Sequence, residues 1–259
     1  MGINESAGYL AVGIMAFISA SIAADFGLYP YPFYLAFVLL FLGLFTSVFF
    51  VQETTAFIAL EEQESDVSML SNIFKETTFT NANLSSITLA GLVNNLNDGM
   101  MWGLLPIMLA SLSFSLTDIG FLAALYPAVW GLGQLFTGFM ADKYSKKGLL
   151  ILGMILQAIG IFIIAYFATF NMILLATILL GLGTALVYPT FLAAIADNSH
   201  PKQRAECIGI YRLWRDLGYA IGALGSAIIA DQYGLQTSFT VIAFVTFAAG
   251  LQIVFRMKN

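Results

Sequence analysis

The stretch Gly138-Phe139-Met140-Ala141-Asp142-Lys143-Tyr144-Ser145-Lys146-Lys147 joins two apolar runs, Ile119–Met140 and Leu149–Ala168. Each run has the roughly 20 residues that a helix needs to cross the hydrocarbon core of a bilayer, at about 1.5 Å per residue. The joint is polar and rich in lysine, as a loop at a membrane surface should be. Outward from it the same alternation fills the chain. Eight stretches qualify as spans: Ser6–Ala24, Tyr31–Val51, Leu84–Leu112, Ile119–Met140, Leu149–Ala168, Met172–Ala196, Ala205–Ala230 and Thr237–Phe255. Turn residues fill the short links Asp25–Pro32 and Asp231–Gly234. Barrel strands would be alternating segments of about ten residues, and these runs are longer and do not alternate. The expected fold is an all-α, polytopic transmembrane helical bundle of eight spans.

Composition points the same way. Of 259 residues, 59% are hydrophobic and 10% charged, whereas soluble domains are about a quarter charged. Disorder is excluded by the same excess of apolar surface. A single cysteine, Cys207, leaves no disulfide framework or thiolate metal cluster. A single histidine, His200, excludes the paired-His zinc motifs. The net charge of −5 with no basic face speaks against nucleic acid as a partner. The sequence shows no HExxH, GxSxG or P-loop, so no enzyme chemistry is expected. No cofactor or metal is implied; the partners expected are the lipid bilayer, a small-molecule solute and protons.

Basic residues mark orientation, because Lys and Arg collect in cytoplasmic loops. Lys75, the Lys143–Lys147 group, Lys202 with Arg204, and Arg256 with Lys258 all fall on one side if there are eight spans. Both termini and Cys207 are then expected at the cytoplasmic face of the plasma (inner) membrane. The first span has Asn4 and Glu5 where a signal peptide would carry a basic region, so it reads as a retained helix. The one long connection, Gln52–Asn83, opens with Glu61, Glu62, Glu64 and Asp66. Val67, Leu70, Ile73 and Phe74 follow at helical spacing, which predicts a short amphipathic helix on the cytoplasmic surface.

An internal repeat organises the spans. Gly8-Tyr9 and Ile22-Ala23-Ala24-Asp25-Phe26-Gly27-Leu28 in the first span are echoed, about one turn out of register, by Gly218-Tyr219 and Ile228–Leu235 in the seventh. A six-span unit would then be complete from Leu84 to Phe255, with only its last two helices represented before it. Paired six-helix halves are a transporter architecture.

In form and place the opening stretch resembles the loop signature of the major facilitator superfamily, G-x-x-x-D-(R/K)-x-G-(R/K)-(R/K), between the second and third helices of a half. Ser145 stands where the family has its second glycine. The resemblance covers the whole chain and implies helices five to twelve. Residues 1–52 would be the last two helices of the N-terminal half, 53–83 a linker, and 84–259 the C-terminal six-helix half. The first four helices would be absent, or supplied as a separately encoded N-terminal partner. The resemblance also implies that Gly138, Asp142, Lys143, Lys146 and Lys147 form a conformational latch, with Asp142 meeting the start of the first span near Gly2–Ser6 and Glu5. The plainer alternative is a positive-inside anchor.

Polar groups at membrane depth suggest a solute path, since charge there is expensive and faces the bundle interior. Asn94, Asn97 and Asp98 share one face of the third span, followed by Gly99 and Pro106. They either line a cavity or glue helices together. Tyr126, Trp130 and Gln134 lie at four-residue spacing on the fourth span, as cavity lining or as packing. Gln157 is a lone polar residue in the fifth span, and Tyr188 accompanies Pro189 in the sixth. In the seventh, Arg212 and Asp216 have the spacing of an ion pair, with Arg215 beside them, acting either in gating or only in packing. Together these predict a secondary transporter for a small organic solute, with Asp98 and Asp216 as candidate proton carriers, or else an inactive fragment.

Overall fold

The computed structural model describes residues 29–52 and 55–258, together with scattered positions between 7 and 27. Its elements are helices: α1 (Tyr31–Phe50), α2 (Thr55–Glu64), α3 (Ala82–Ser111), α4 (Leu116–Lys143), α5 (Lys146–Tyr166), α6 (Phe170–Asp197), α7 (Arg204–Tyr233) and α8 (Leu235–Arg256). A single helical turn, Ile73–Lys75, runs into a π-helical turn, Glu76–Thr80, just before α3. No strand occurs among the described residues. Helices α1, α4, α5, α6 and α8 are long and apolar enough to cross a membrane. Helices α3 and α7 have the length, 30 residues each, but carry the polar residues. The first expected span, and with it that copy of the repeat, lies largely outside the described residues.

The chain divides into two compact units, Asn4–Ser65 and Asp66–Asn259 with Met1–Ile3. In the first unit α1 begins with proline in its first turn, carries no charge and buries none of its residues. Helix α2 takes in Glu61, Glu62 and Glu64 of the acidic run, which the expected form of the connection leaves ahead of its helix.

The second unit holds α3 to α8. Apolar association is weak between helices in lipid, so close backbone approach and interhelical hydrogen bonds must hold them. Gly218 and Gly222 on α7 lie against the carbonyls of Leu92 and Leu96 on α3, where a Cβ would collide with backbone. Gly99 returns the favour, facing the Tyr219 carbonyl. On the opposite side Gly153 and Gly183 let α5 and α6 meet in the same way. Between α7 and α8 a one-residue link suffices because Gly234 adopts φ of +90°, a conformation only glycine takes without cost.

Two apolar clusters fill the bundle. One gathers Met101, Leu105, Ile161, Ile173 and Phe239; the other gathers Ile87, Met154, Phe191, Tyr211 and Ile253. The boundary between them on α3 falls at Asn94–Asp98. That level is about 18–24 Å from the start of α3 and about 20–26 Å from its end, mid-membrane by helix rise.

The connection before α3 differs from its expected form. Val67–Asn72 is not helical, and only Ile73–Lys75 forms a turn. The reason is where its backbone bonds go. The Leu70 N–H donates to Gln203 Oε1 at 2.8 Å, and Gln203 Nε2 donates to the Leu70 carbonyl at 3.0 Å. Trp214 Nε1 donates to Thr78 Oγ1 at 3.1 Å, and Arg256 donates to the Phe79 carbonyl. Residues 66–80 are thus fastened to the six-helix unit. At that same end the Lys258 N–H donates to Asn83 Oδ1 at 2.8 Å, so the tail emerges beside the Lys143–Lys147 corner.

Candidate functional site

The polar residues of α3 bond partners from three other helices, α4, α5 and α8. Asn97 Nδ2 donates to Gln157 Oε1 on α5 at 2.8 Å, and Gln157 Nε2 donates to Asn94 Oδ1 at 3.0 Å. Thr246 on α8 donates to Asn97 Oδ1 at 2.7 Å. Asn94 Nδ2 reaches Asn95 Oδ1 at 3.3 Å. The four amides and one hydroxyl thus form a continuous chain of hydrogen bonds, and Asn94, Asn97, Gln157 and Thr246 are all buried. Low polarity around such a network strengthens each bond and makes a missing one costly.

One residue further, Asp98 enters a second set. Tyr126 on α4 donates its hydroxyl to Asp98 Oδ1, and its oxygen lies 3.3 Å from Thr184 Oγ1 on α6. Thr184 in turn donates to the Leu180 carbonyl at 3.0 Å. The carboxyl is therefore held by one neutral donor, the Tyr126 hydroxyl, which links it through Thr184 to α6.

The stripe on α4 faces inward. Tyr126, Trp130 and Gln134 are all buried, together with Thr137 one turn on. The rings form a series: Trp102 to Tyr126 at 6.5 Å, Tyr126 stacked on Trp130 at 6.1 Å, and Trp130 to Tyr188 at 5.1 Å. Arg215 continues it, its guanidinium 5.6 Å from the Tyr188 ring centre and 6.0 Å from that of Tyr211. Gln134 is fully buried, yet neither end of its amide finds a partner among the described residues.

The ion pair of α7 is not the one its spacing suggests. Asp216 binds Arg215, through Nη2 and Nε, both at 2.8 Å; no bond to Arg212 forms among the described residues, and Arg212 is exposed. Arg215 lies along the Tyr188 and Tyr211 rings, and that path brings its guanidinium to its sequence neighbour. Asp216 remains open, its side chain 62% exposed at a depth where lipid would not solvate it.

At the opening stretch, Asp142 is exposed and Gly138 half-buried. The Lys143 ammonium sits 5.8 Å from the Tyr144 ring centre, and Lys146 pairs with Asp197 of α6 at 2.6 Å. Ser145 needs no glycine-like conformation, with φ of −55°, and caps α5 by accepting from the Gly148 N–H at 3.3 Å. The intended latch partners, Glu5 and Gly2–Ser6, lie outside the described residues. Among the described residues no three His, Cys, Asp or Glu side chains converge as metal ligands.

Thr184 and Thr246 were not legible as site residues. Each also bonds its own i−4 carbonyl, which makes a threonine inside an apolar helix look self-sufficient.

A six-helix bundle with this polar level and this basic corner has a counterpart among known families. The profile described as Major Facilitator Superfamily matches residues 87–258. The chain belongs to the Major Facilitator Superfamily. An uncharacterized MFS-type transporter of Methanocaldococcus jannaschii is 24% identical over 261 residues, covering 100% of this chain and 66% of that protein. The fosmidomycin resistance protein of Escherichia coli is 25% identical over 171 residues, 66% of this chain and 41% of that protein. The quinolone resistance protein NorA of Staphylococcus aureus is 28% identical over 124 residues, 48% of this chain and 32% of that protein. The chain thus spans less than two thirds of the length of these relatives. Membership in the superfamily, with its run of apolar helices, makes it an integral multi-pass membrane protein.

Proposed function

We propose that this chain is the larger part of a secondary transporter, in which a C-terminal six-helix half moves a small organic solute by alternating access with proton coupling. The observation that carries this reading is Asp98, a buried carboxyl at mid-membrane that accepts from Tyr126 of α4, whose hydroxyl in turn contacts Thr184 of α6. A carboxyl is poorly placed as structural glue there, because amides and hydroxyls do that work one residue away without a charge. A proton arriving at Asp98 changes which partner donates to which, and that links protonation to the packing of α3, α4 and α6. Trp102, the half-exposed first ring of that series, gives an organic solute a surface to stack on, and the relatives named for fosmidomycin and quinolone resistance fit such a solute class. Both termini and the Lys143–Lys147 corner face the cytoplasm in this reading, and Asp142 acts as the latch.

The test is transport in proteoliposomes under an imposed pH gradient, with a panel of organic compounds and a pH dye inside. Wild-type chain should show solute-dependent proton movement, and Asp98→Asn should reduce it more than tenfold while leaving the detergent-solubilised protein monodisperse. Equal movement in the variant removes Asp98 from the mechanism. The exposure of Asp216 favours a second arrangement, in which a separately encoded four-helix partner covers that face of α7. A chain that transports only when such helices are co-expressed belongs to a split carrier.

A further inference from the structure

Five helix ends meet at the basic corner, and they frame a pocket of about 360 Å³. It is framed by the start of α3, the α4–α5 turn and the ends of α6 and α8. Three lysines line it, Lys146, Lys147 and Lys258, against one carboxylate, Asp197. Asp197 is engaged by Lys146 at 2.6 Å. No ion pair forms at Lys147 or Lys258 among the described residues, and Lys147 is half-buried.

The asparagines of the pocket are already satisfied. Asn83 Nδ2 donates to Asn198 Oδ1 at 2.6 Å while Asn83 Oδ1 accepts from the Lys258 N–H. Asn198 Nδ2 donates to the Ala194 carbonyl at 2.8 Å. These bonds tie the α3, α6 and α8 ends together and fix the walls. Beside the Lys146-engaged Asp197 carboxylate, the donors that remain to serve a guest are the ammonium groups of Lys147 and Lys258 and the hydroxyls of Tyr144 and Ser145.

The height of the pocket is set by α5. Its 21 residues run about 30 Å, the thickness of the hydrocarbon core. Lys146 and Lys147, its first two residues, therefore stand at the level of the lipid headgroups. We propose that this pocket binds a phosphate-bearing anion, with the phosphate held by Lys147 and Lys258. Two sources share that chemistry: the headgroup of an acidic phospholipid and a soluble phosphate. Basic pockets between helix ends at this level suit the first.

The test uses the purified 259-residue chain in dodecyl maltoside at fixed ionic strength. Thermal unfolding is followed against dioleoyl-phosphatidylglycerol, dioleoyl-phosphatidylcholine and inorganic phosphate. A saturable rise in Tm with phosphatidylglycerol alone assigns the pocket to lipid; an equal rise with inorganic phosphate assigns it to a soluble anion. Lys258→Gln, beyond the last helical turn and harmless to folding, should raise the half-saturating concentration about fivefold, and Lys147→Gln about fivefold again. The Lys147→Arg, Lys258→Arg pair should keep the response, and Lys143→Gln, outside the pocket, should not alter it. A response to phosphatidylcholine equal to that for phosphatidylglycerol, no response to any of the three, or an unchanged response in Lys258→Gln and in Lys147→Gln overturns the assignment.

Discussion

Helix α1 buries none of its residues, whereas α3 buries most of its 30. Yet α1 is among the helices apolar enough to cross a membrane and α3 is not. In water this ranking would be inverted, since apolar side chains leave the solvent first. In a bilayer the solvent is itself apolar, and a helix surface of Phe41, Phe45 and Val48 gains nothing by hiding. What must hide are the groups lipid cannot satisfy, and α3 carries them: Asn94, Asn97 and Asp98. Polarity at depth, not hydrophobicity, thus marks the helix at the centre of the bundle.

The hardest strain on that comparison is backbone approach. Valine at Gly222 would place Cβ against the Leu96 backbone, which cannot step aside. A Cβ at Gly43 in α1 would meet nothing within 4 Å. Gly222→Val should cost about 3 kcal/mol, as overpacking of a closed seam does, read as a lower unfolding midpoint in detergent. Gly43→Val should hold or slightly raise the midpoint, because valine is the better helix former. Equal losses would mean that the α3–α7 seam is no tighter than a lipid-facing surface.

A smaller effect is expected inside the relay. Asn97→Leu leaves Gln157 Oε1 and the Thr246 hydroxyl without the partner they share, and should cost roughly 1–3 kcal/mol. Adding Gln157→Leu should cost less than the two single losses combined, because the groups are coupled. In α1 the matching change, Thr46→Val, should be neutral: among the described residues Thr46 bonds only the Leu42 and Gly43 carbonyls of its own helix.

This contrast also explains what could be read in the residues themselves. The helix bounds follow from apolar length, so α1 and α3 to α8 fall within a few residues of the expected spans. The site on α3 was legible because carboxamides and a carboxyl at mid-membrane have few other reasons to be there. Its partners on α6 and α8 were not, because Thr184 and Thr246 are small and already bonded to their own helices. The Arg212–Asp216 spacing misled for a different reason. A side chain as long as arginine follows the surfaces available to it, and the Tyr188 and Tyr211 rings draw Arg215, not Arg212, to the carboxylate. Likewise the periodicity of Val67–Phe74 was real, but it serves docking: Leu70 and Ile73 pack on the apolar cluster of the bundle, while the Leu70 peptide is held by Gln203.

That docked connection gives the mildest test, since it is neither lipid-facing nor buried. Glu76 Oε1 accepts from the Ser71 N–H at 2.8 Å, the Asn72 N–H at 3.0 Å and the Ser71 hydroxyl at 3.0 Å. The Asn72 amide, followed by the Ser71 hydroxyl, holds the carboxyl below its ordinary value of 4.5. A depressed carboxyl contributes stability that is complete above that ordinary value and is lost as pH falls through the lower, folded one. Hydrogen exchange across residues 66–80, corrected for intrinsic rates, should therefore be constant from neutral pH down to about 5 and then accelerate. Glu76→Gln should remove that acid dependence, since its side chain no longer titrates there. The same pH change should leave exchange in the middle of α3 unmoved, because the Glu76 turn closes the entry to that helix and not its packing. If α3 opened together with the connection, the two would form one cooperative element, and the centre of the bundle would extend to the chain that leads into it.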